Sequence, residues 1–174
     1  LKITGVEIDS RKIARGNIFF AIDGKNNDGH NFIQQAKEKG AVLAVVERKS
    51  NKIKIPQIKV SDTHKALIKL AKYYRSLFKG KLIAITGSVG KTSTKDYLHY
   101  ILSQSHLTYC SRQSFNNDFG LPLEILNMPK TTEIGIFELG MNHKNEIKKL
   151  STMITQYKKI INSKKELLKV ISND

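Results

Sequence analysis

The chain has 174 residues and a formal net charge of +15, with 30 lysines and arginines against 15 acidic residues. That length suits one ordinary domain or two small ones. No apolar run approaches the ~20 residues of a membrane-spanning helix, and the lone Cys110 excludes an intrachain disulfide and points to a reducing cytoplasm. The charge favours polyanionic partners such as nucleotides, yet only five of the basic residues are arginine and the lysines are scattered, which argues against specific nucleic-acid binding.

In chain order, residues 5–9 and 16–22 read as strands, the second through Ile18, Phe19, Phe20 and Ala21. A turn-rich stretch over 23–29 leads to a helix over 30–39 that stops at Gly40. Residues 41–47 and 54–60 read as further strands, and Asp62 caps the helix that follows. On that helix Lys65, Lys69 and Lys72 line one side, opposite Leu67, Ile68, Ala71, Tyr74 and Phe78, so a packed helix with a solvated lysine face is expected. A second unit begins near Lys81. It holds a strand over 82–86, a helix over 91–104 with Leu98, Ile101 and Leu102 facing inward, and a strand over 106–110. A polar loop over 114–120, an apolar segment from Leu121 that Pro129 ends, a strand over 132–138 and a helix from 144 to about 153 complete it. Strands alternating with helices predict an α/β fold with a mainly parallel sheet.

The most informative segment is Thr86-Gly87-Ser88-Val89-Gly90-Lys91-Thr92-Ser93, between an apolar strand and a helix. Gly87 and Gly90 free the backbone to close N–H groups around phosphate oxygens, and the helix start presents its positive dipole end to the same anion. Lys91 then neutralises the β- and γ-phosphates of ATP, and the Thr92 hydroxyl ligates Mg²⁺. The strict phosphate-loop pattern fails, because Ile85 stands where its first glycine belongs.

Three more blocks join this loop: Asp9-Ser10-Arg11, Gly16 to Ala21, and Asp28-Gly29-His30-Asn31-Phe32. Together the four resemble the Mur ligases, the ATP-dependent amino-acid ligases of peptidoglycan synthesis, whose usual phosphate loop also lacks the first glycine. Thr94-Lys95-Asp96, Ser114-Phe115-Asn116-Asn117 with Gly120-Leu121-Pro122-Leu123, and Glu138 to His143 with Glu146-Ile147 are most similar to the member that joins D-alanyl-D-alanine to UDP-N-acetylmuramoyl-tripeptide. The resemblance implies a small N-terminal UDP-substrate domain over 1–79, then the first part of a parallel-sheet ATPase domain over 80–155. Residues 156–174 form a divergent tail in which the family's later motifs are missing. A truncated or frame-shifted product, clipped also before Leu1 and inactive by itself, is the simplest expectation. A monomer is expected.

The resemblance also sets expectations for single residues. Glu138, at a strand end beside the phosphate loop, holds Mg²⁺ with Thr92; otherwise it caps the next helix. His143 contacts phosphate or a metal-bound water, or caps a helix. Ser10 and Arg11 belong to the UDP-sugar pocket with Asp28 and His30, although Asp-Gly-His also reads as a plain turn. Asn116 and Asn117 are turn formers by themselves, and only the resemblance makes them substrate contacts. Two alternatives stay open: a nucleotide- or UDP-sugar-binding module without ligase activity, and the preceding Mur ligase, which adds the third peptide residue.

Overall fold

The computed structural model describes residues 2–24, 27–112, 115–140 and 146–154. They divide into two compact units, with the boundary between Leu70 and Ala71. No helix among the described residues is long and apolar enough to cross a membrane.

The first unit is a four-stranded parallel sheet in the order β1-β2-β3-β4, formed by Gly5–Glu7, Asn17–Phe20, Leu43–Val46 and Gln57–Lys59. β1 and β2 are parallel neighbours joined only by residues 8–16, shorter than the usual helical crossover. A 3-10 turn over Ser10–Lys12, started by the Asp9 carboxylate accepting the Arg11 N–H, reverses the chain in that space. The expected helix over 30–39 is split into a 3-10 turn at Gly29–Phe32 and α1 at Ile33–Glu38. The reason is local: the Asp28 carboxylate accepts the His30 N–H at 2.9 Å and tightens the entry. Ile33 and Ala36 of α1 pack with Phe19, Ala21, Ala44 and Val46 into one apolar core. Asp62 begins α2 (Thr63–Leu77) as expected, accepting the Lys65 N–H at 2.8 Å.

The second unit contains a three-stranded parallel sheet in the order β5-β7-β6, from Lys81–Ile85, Ile134–Glu138 and Thr108–Cys110. Every residue of the central β7 is buried. α3 (Lys91–Leu102) carries the chain from β5 to β6, and α4 (Gly120–Asn127) and the loop after it return the chain so that β7 inserts between the first two strands. α5 (Glu146–Ile154) follows.

The face of α3 toward the sheet differs from the expected one. Ile101 is 62% exposed, while Lys95 is buried. Lys95, Leu98 and Leu102 lie within about 60° of one another around the helix axis, and Ile101 lies about 120° from Lys95. Packing against β5, β6 and β7 therefore buries the lysine and leaves Ile101 outside.

α4 is almost wholly buried, including Glu124. Its carboxylate accepts from the Tyr109 hydroxyl at 2.8 Å, the Arg112 N–H at 2.9 Å and Arg112 Nε at 2.6 Å. Burial pushes the Tyr109 phenol up, and the adjacent Glu124 charge adds to that shift. Replacing Glu124 by alanine orphans the Tyr109 hydroxyl and the Arg112 N–H. We expect a loss of about 3 kcal/mol in urea unfolding, with Glu124→Gln retaining part of it.

Candidate nucleotide and substrate sites

Gly90 makes the phosphate-loop geometry possible. It precedes α3 at φ 78°, a left-handed conformation that glycine adopts without strain, and an added Cβ would meet nothing within 4 Å. The requirement at Gly90 is thus one of backbone conformation rather than of space. Gly87, at φ 152°, opens the loop on the other side. The first N–H groups of α3 have no partner within the helix, and Lys91 and Thr92 sit in that first turn. Lys91 folds across the loop, its Nζ donating to the Gly87 carbonyl at 2.7 Å. Ser88 and Val89 form the exposed crest, with Val89 90% exposed. Ser93 faces the outer side of α3, where it lines a hollow of about 520 Å³ with Asp96, Tyr97 and Tyr100.

The strand order brings Glu138 to this loop. Ile85 and Glu138 are paired residues of β5 and β7, and the ladder continues as Leu139 N–H donates to the Ile85 carbonyl. The Thr92 hydroxyl donates to Glu138 Oε2 at 2.8 Å. Asn116 Nδ2 donates to the other carboxylate oxygen at 3.2 Å, while its backbone carbonyl accepts the Gly140 N–H. Asn117 behaves differently: its side-chain oxygen accepts the Phe119 and Gly120 N–H groups at the start of α4. Adjacent asparagines thus have separate tasks, one at the Glu138 carboxylate and one at a helix start. His143 lies outside the described residues, as does the tail from residue 155.

Whether this donor set suits Mg²⁺ can be judged from its geometry. Mg²⁺ takes hard oxygen ligands at about 2.0–2.1 Å in octahedral array, usually one or two from the protein and the rest from phosphates and water. Neighbouring vertices of that octahedron are about 3 Å apart, close to the 2.8 Å between Thr92 Oγ1 and Glu138 Oε2. Among the described residues no cluster of three or more His, Cys, Asp or Glu side chains offers a complete metal cage. The pair fits a metal that arrives with a nucleotide.

In the first unit Ser10, Arg11 and Gly29 line a cleft of about 500 Å³, together with Asp9, Asn27 and Gln35. Ser10 is buried and donates to Gln35 Oε1 at 2.5 Å. Arg11 is exposed and held in a two-point pair by Asp9, with both contacts at 2.9 Å. That hydrogen bond holds the Asp9 carboxyl below its usual range.

Asp28 and His30 do not line the cleft; they brace its wall. His30 Nε2 accepts the backbone N–H groups of Glu47 and Arg48 at 2.9 and 3.2 Å, so the ring hydrogen sits on Nδ1 and is given to Asp28 at 2.6 Å. Both ring nitrogens are engaged within the protein. Arg48 closes the brace on Asp28 and Asp23.

The sequence reading passed over Gln35 and Ser111, and it quoted Lys95 only within the Thr94-Lys95-Asp96 block, with no role of its own.

Burial alone would raise the Asp28 carboxyl; hydrogen bonds from His30 and the Arg48 charge outweigh it and hold the group below its usual value. The stabilisation is therefore complete above the unfolded value of about 3.9 and is lost as pH falls through the lower folded value. Asp28→Asn should be less stable than the parent at pH 7, and the gap should close as pH drops below about 4. Urea midpoints measured across that range check this.

Comparison with known proteins gives consistent results for both units. Residues 2–75 match the Mur ligase family catalytic domain, and residues 85–171 match the Mur ligase middle domain. The second match runs beyond Glu146-Ile147, the last of the quoted motifs. The UDP-N-acetylmuramoyl-tripeptide–D-alanyl-D-alanine ligase of Rickettsia prowazekii is 42% identical over 161 residues, covering 91% of this chain and 35% of the relative. A crystal structure of MurF from Acinetobacter baumannii aligns with TM-score 0.81 and 39% identity, over 88% of this chain and 34% of that one. The MurF ligase of Thermotoga maritima, solved in complex with ADP, aligns with TM-score 0.75 and 32% identity, over 87% of this chain and 35% of its own. The chain spans about a third of the length of the curated relatives it matches.

Proposed function

Because the chain belongs to the Mur ligase family, we propose that it carries two working parts of a peptidoglycan ligase. Residues 1–79 are the UDP-substrate unit, and residues 80–155 are the leading part of the ATP-binding unit. The full reaction joins D-alanyl-D-alanine to UDP-N-acetylmuramoyl-tripeptide. The tripeptide carboxylate attacks the γ-phosphorus of ATP, the bond to the β-γ bridging oxygen breaks, and ADP leaves. The dipeptide amine then attacks the acyl-phosphate carbonyl, losing a proton as inorganic phosphate departs. The protein works in the cytoplasm as a monomer.

The observation that supports this reading most is the 2.8 Å contact between Thr92 and Glu138 at the lip of the glycine loop. Little covalent work falls to the protein in phosphoryl transfer, so positioning and charge neutralisation dominate. Gly87 to Ser93 wrap the phosphates, and Lys91 leaves the Gly87 carbonyl to meet the β- and γ-oxygens. Thr92 and Glu138 would hold Mg²⁺, which would supply positive charge to offset that of the phosphates. Asn116 orients the Glu138 carboxylate, and Asn117 secures the loop beside it. Ser10 and Arg11 receive the uridine diphosphate, while Asp28 and His30 brace that cleft. Choosing this enzyme over the one that adds the third peptide residue rests on identities of 32–42% to relatives that carry its name.

The 174-residue polypeptide alone is expected to bind Mg–ATP and not to turn over, since it spans about a third of its relatives' length. Titration calorimetry should give measurable ATP binding that Lys91→Ala weakens at least ~10-fold, a loss of about 1.4 kcal/mol or more. A ligation assay with UDP-N-acetylmuramoyl-tripeptide and D-alanyl-D-alanine should give no product. Turnover at ~1–1000 s⁻¹, the ordinary enzyme range, would overturn the reading of residues 80–155 as only the leading part of the ATP-binding unit.

A further inference from the structure

Lys95 is the one buried residue among α3's described side chains, and its own side chain is 2% exposed. Taking an ammonium out of water costs several kcal/mol, and methionine or leucine would fill the same helical position without that cost. Its Nζ donates to the Ser111 carbonyl at 2.7 Å, and among the described residues the nearest carboxylate paired with it, on exposed Asp96, is 3.8 Å away. Ser111 is itself 2% exposed and links three elements. Its N–H donates to the Ile136 carbonyl at 2.9 Å, and its hydroxyl oxygen accepts the Glu138 N–H at 3.2 Å. Its carbonyl takes the lysine.

We propose that Lys95 is a positioning residue for the metal–nucleotide site: through Ser111 it sets the distance between Thr92 on α3 and Glu138 at the end of β7. Thr92 and Lys91 lie three and four residues before Lys95, on the same side of the helix one turn earlier. Tying Lys95 to the end of β6 fixes both the rotation of α3 and its height above the sheet. The Ser111 hydroxyl then fixes the backbone of the residue whose carboxylate Thr92 meets. The inference rests on the nucleotide reading for its purpose, whereas the linkage itself is a matter of geometry.

The test uses the full 174-residue chain with Lys95→Met, Lys95→Arg and Ser111→Ala. Loss of an outer-shell partner typically costs 10–100-fold in metal affinity. Lys95→Met should accordingly raise the Mg²⁺ concentration for half-maximal ATP binding about 10-fold, with metal-free ATP binding changed less than about 2-fold. Lys95→Arg should restore most of the loss. Ser111→Ala should show the same metal-selective defect, and adding it to Lys95→Met should bring little further loss, because both break one linkage. Equal weakening with and without Mg²⁺, or a folded Lys95→Met with parental metal dependence, would overturn the proposal. Should Lys95→Met fail to fold, Ser111→Ala carries the test, since it keeps the carbonyl that the lysine meets. A crystal structure of either variant separates this proposal from the nucleotide reading. An intact Thr92–Glu138 contact refutes positioning even where ATP binds, and a broken contact supports it even where the parent chain binds no ATP.

Discussion

The hydrogen bond from the Thr92 hydroxyl to Glu138 ties the first turn of α3 to the end of the central strand, and the second unit is arranged around it. The contact exists because β7 inserts between β5 and β6. In a sheet ordered by sequence, β7 would lie at the far edge, a strand's width further from the loop that follows β5. Insertion places the two C-terminal strand ends side by side, where parallel α/β sheets collect ligands. Gly135 fits the crowding that results: a Cβ there would lie 2.7 Å from Leu82 Cδ2 and 2.9 Å from Met128 Sδ.

Beneath that contact the apolar interior also holds buried polar side chains. Lys95, Ser111 and Glu124 are all buried, and each has partners: a carbonyl for the lysine, a backbone N–H for the serine hydroxyl, and three donors for the glutamate. Buried polar groups with partners fix geometry more narrowly than apolar packing, because displacing one exposes an unsatisfied charge or dipole. Such a foundation would keep the Thr92 and Glu138 oxygens at the spacing that the proposed Mg²⁺ requires.

The first unit uses the same device on a smaller scale. The connection from β1 to β2 is short, and Asp28, His30 and Arg48 hold the loop before α1 through polar contacts. The arginines, few as they are, do structural work throughout the molecule. Arg11 pairs with Asp9, Arg48 with Asp23 and Asp28, Arg75 donates to two carbonyls, and Arg112 meets Glu124. On α2, by contrast, Lys65 and Lys72 are exposed to solvent.

Local chemistry was legible in the sequence. The loop glycines, the Asp62 cap, the alternation of strands with helices and the lysine face of α2 all depend on neighbours within a few residues. The four motif blocks were legible too, and with them the family. Strand order was not, because periodicity marks a strand without naming its partner. For that reason Asn116 could not be separated from Asn117 beforehand, nor could Ser10 and Arg11, which line the cleft, be separated from Asp28 and His30, which brace it. The inward face of α3 was misjudged for a related cause: hydrophobicity favoured Ile101, while the rotation that brings Thr92 to Glu138 buries Lys95 instead. That rotation depends on a carbonyl at the end of β6, sixteen residues away, and only the folded sheet brings it within reach.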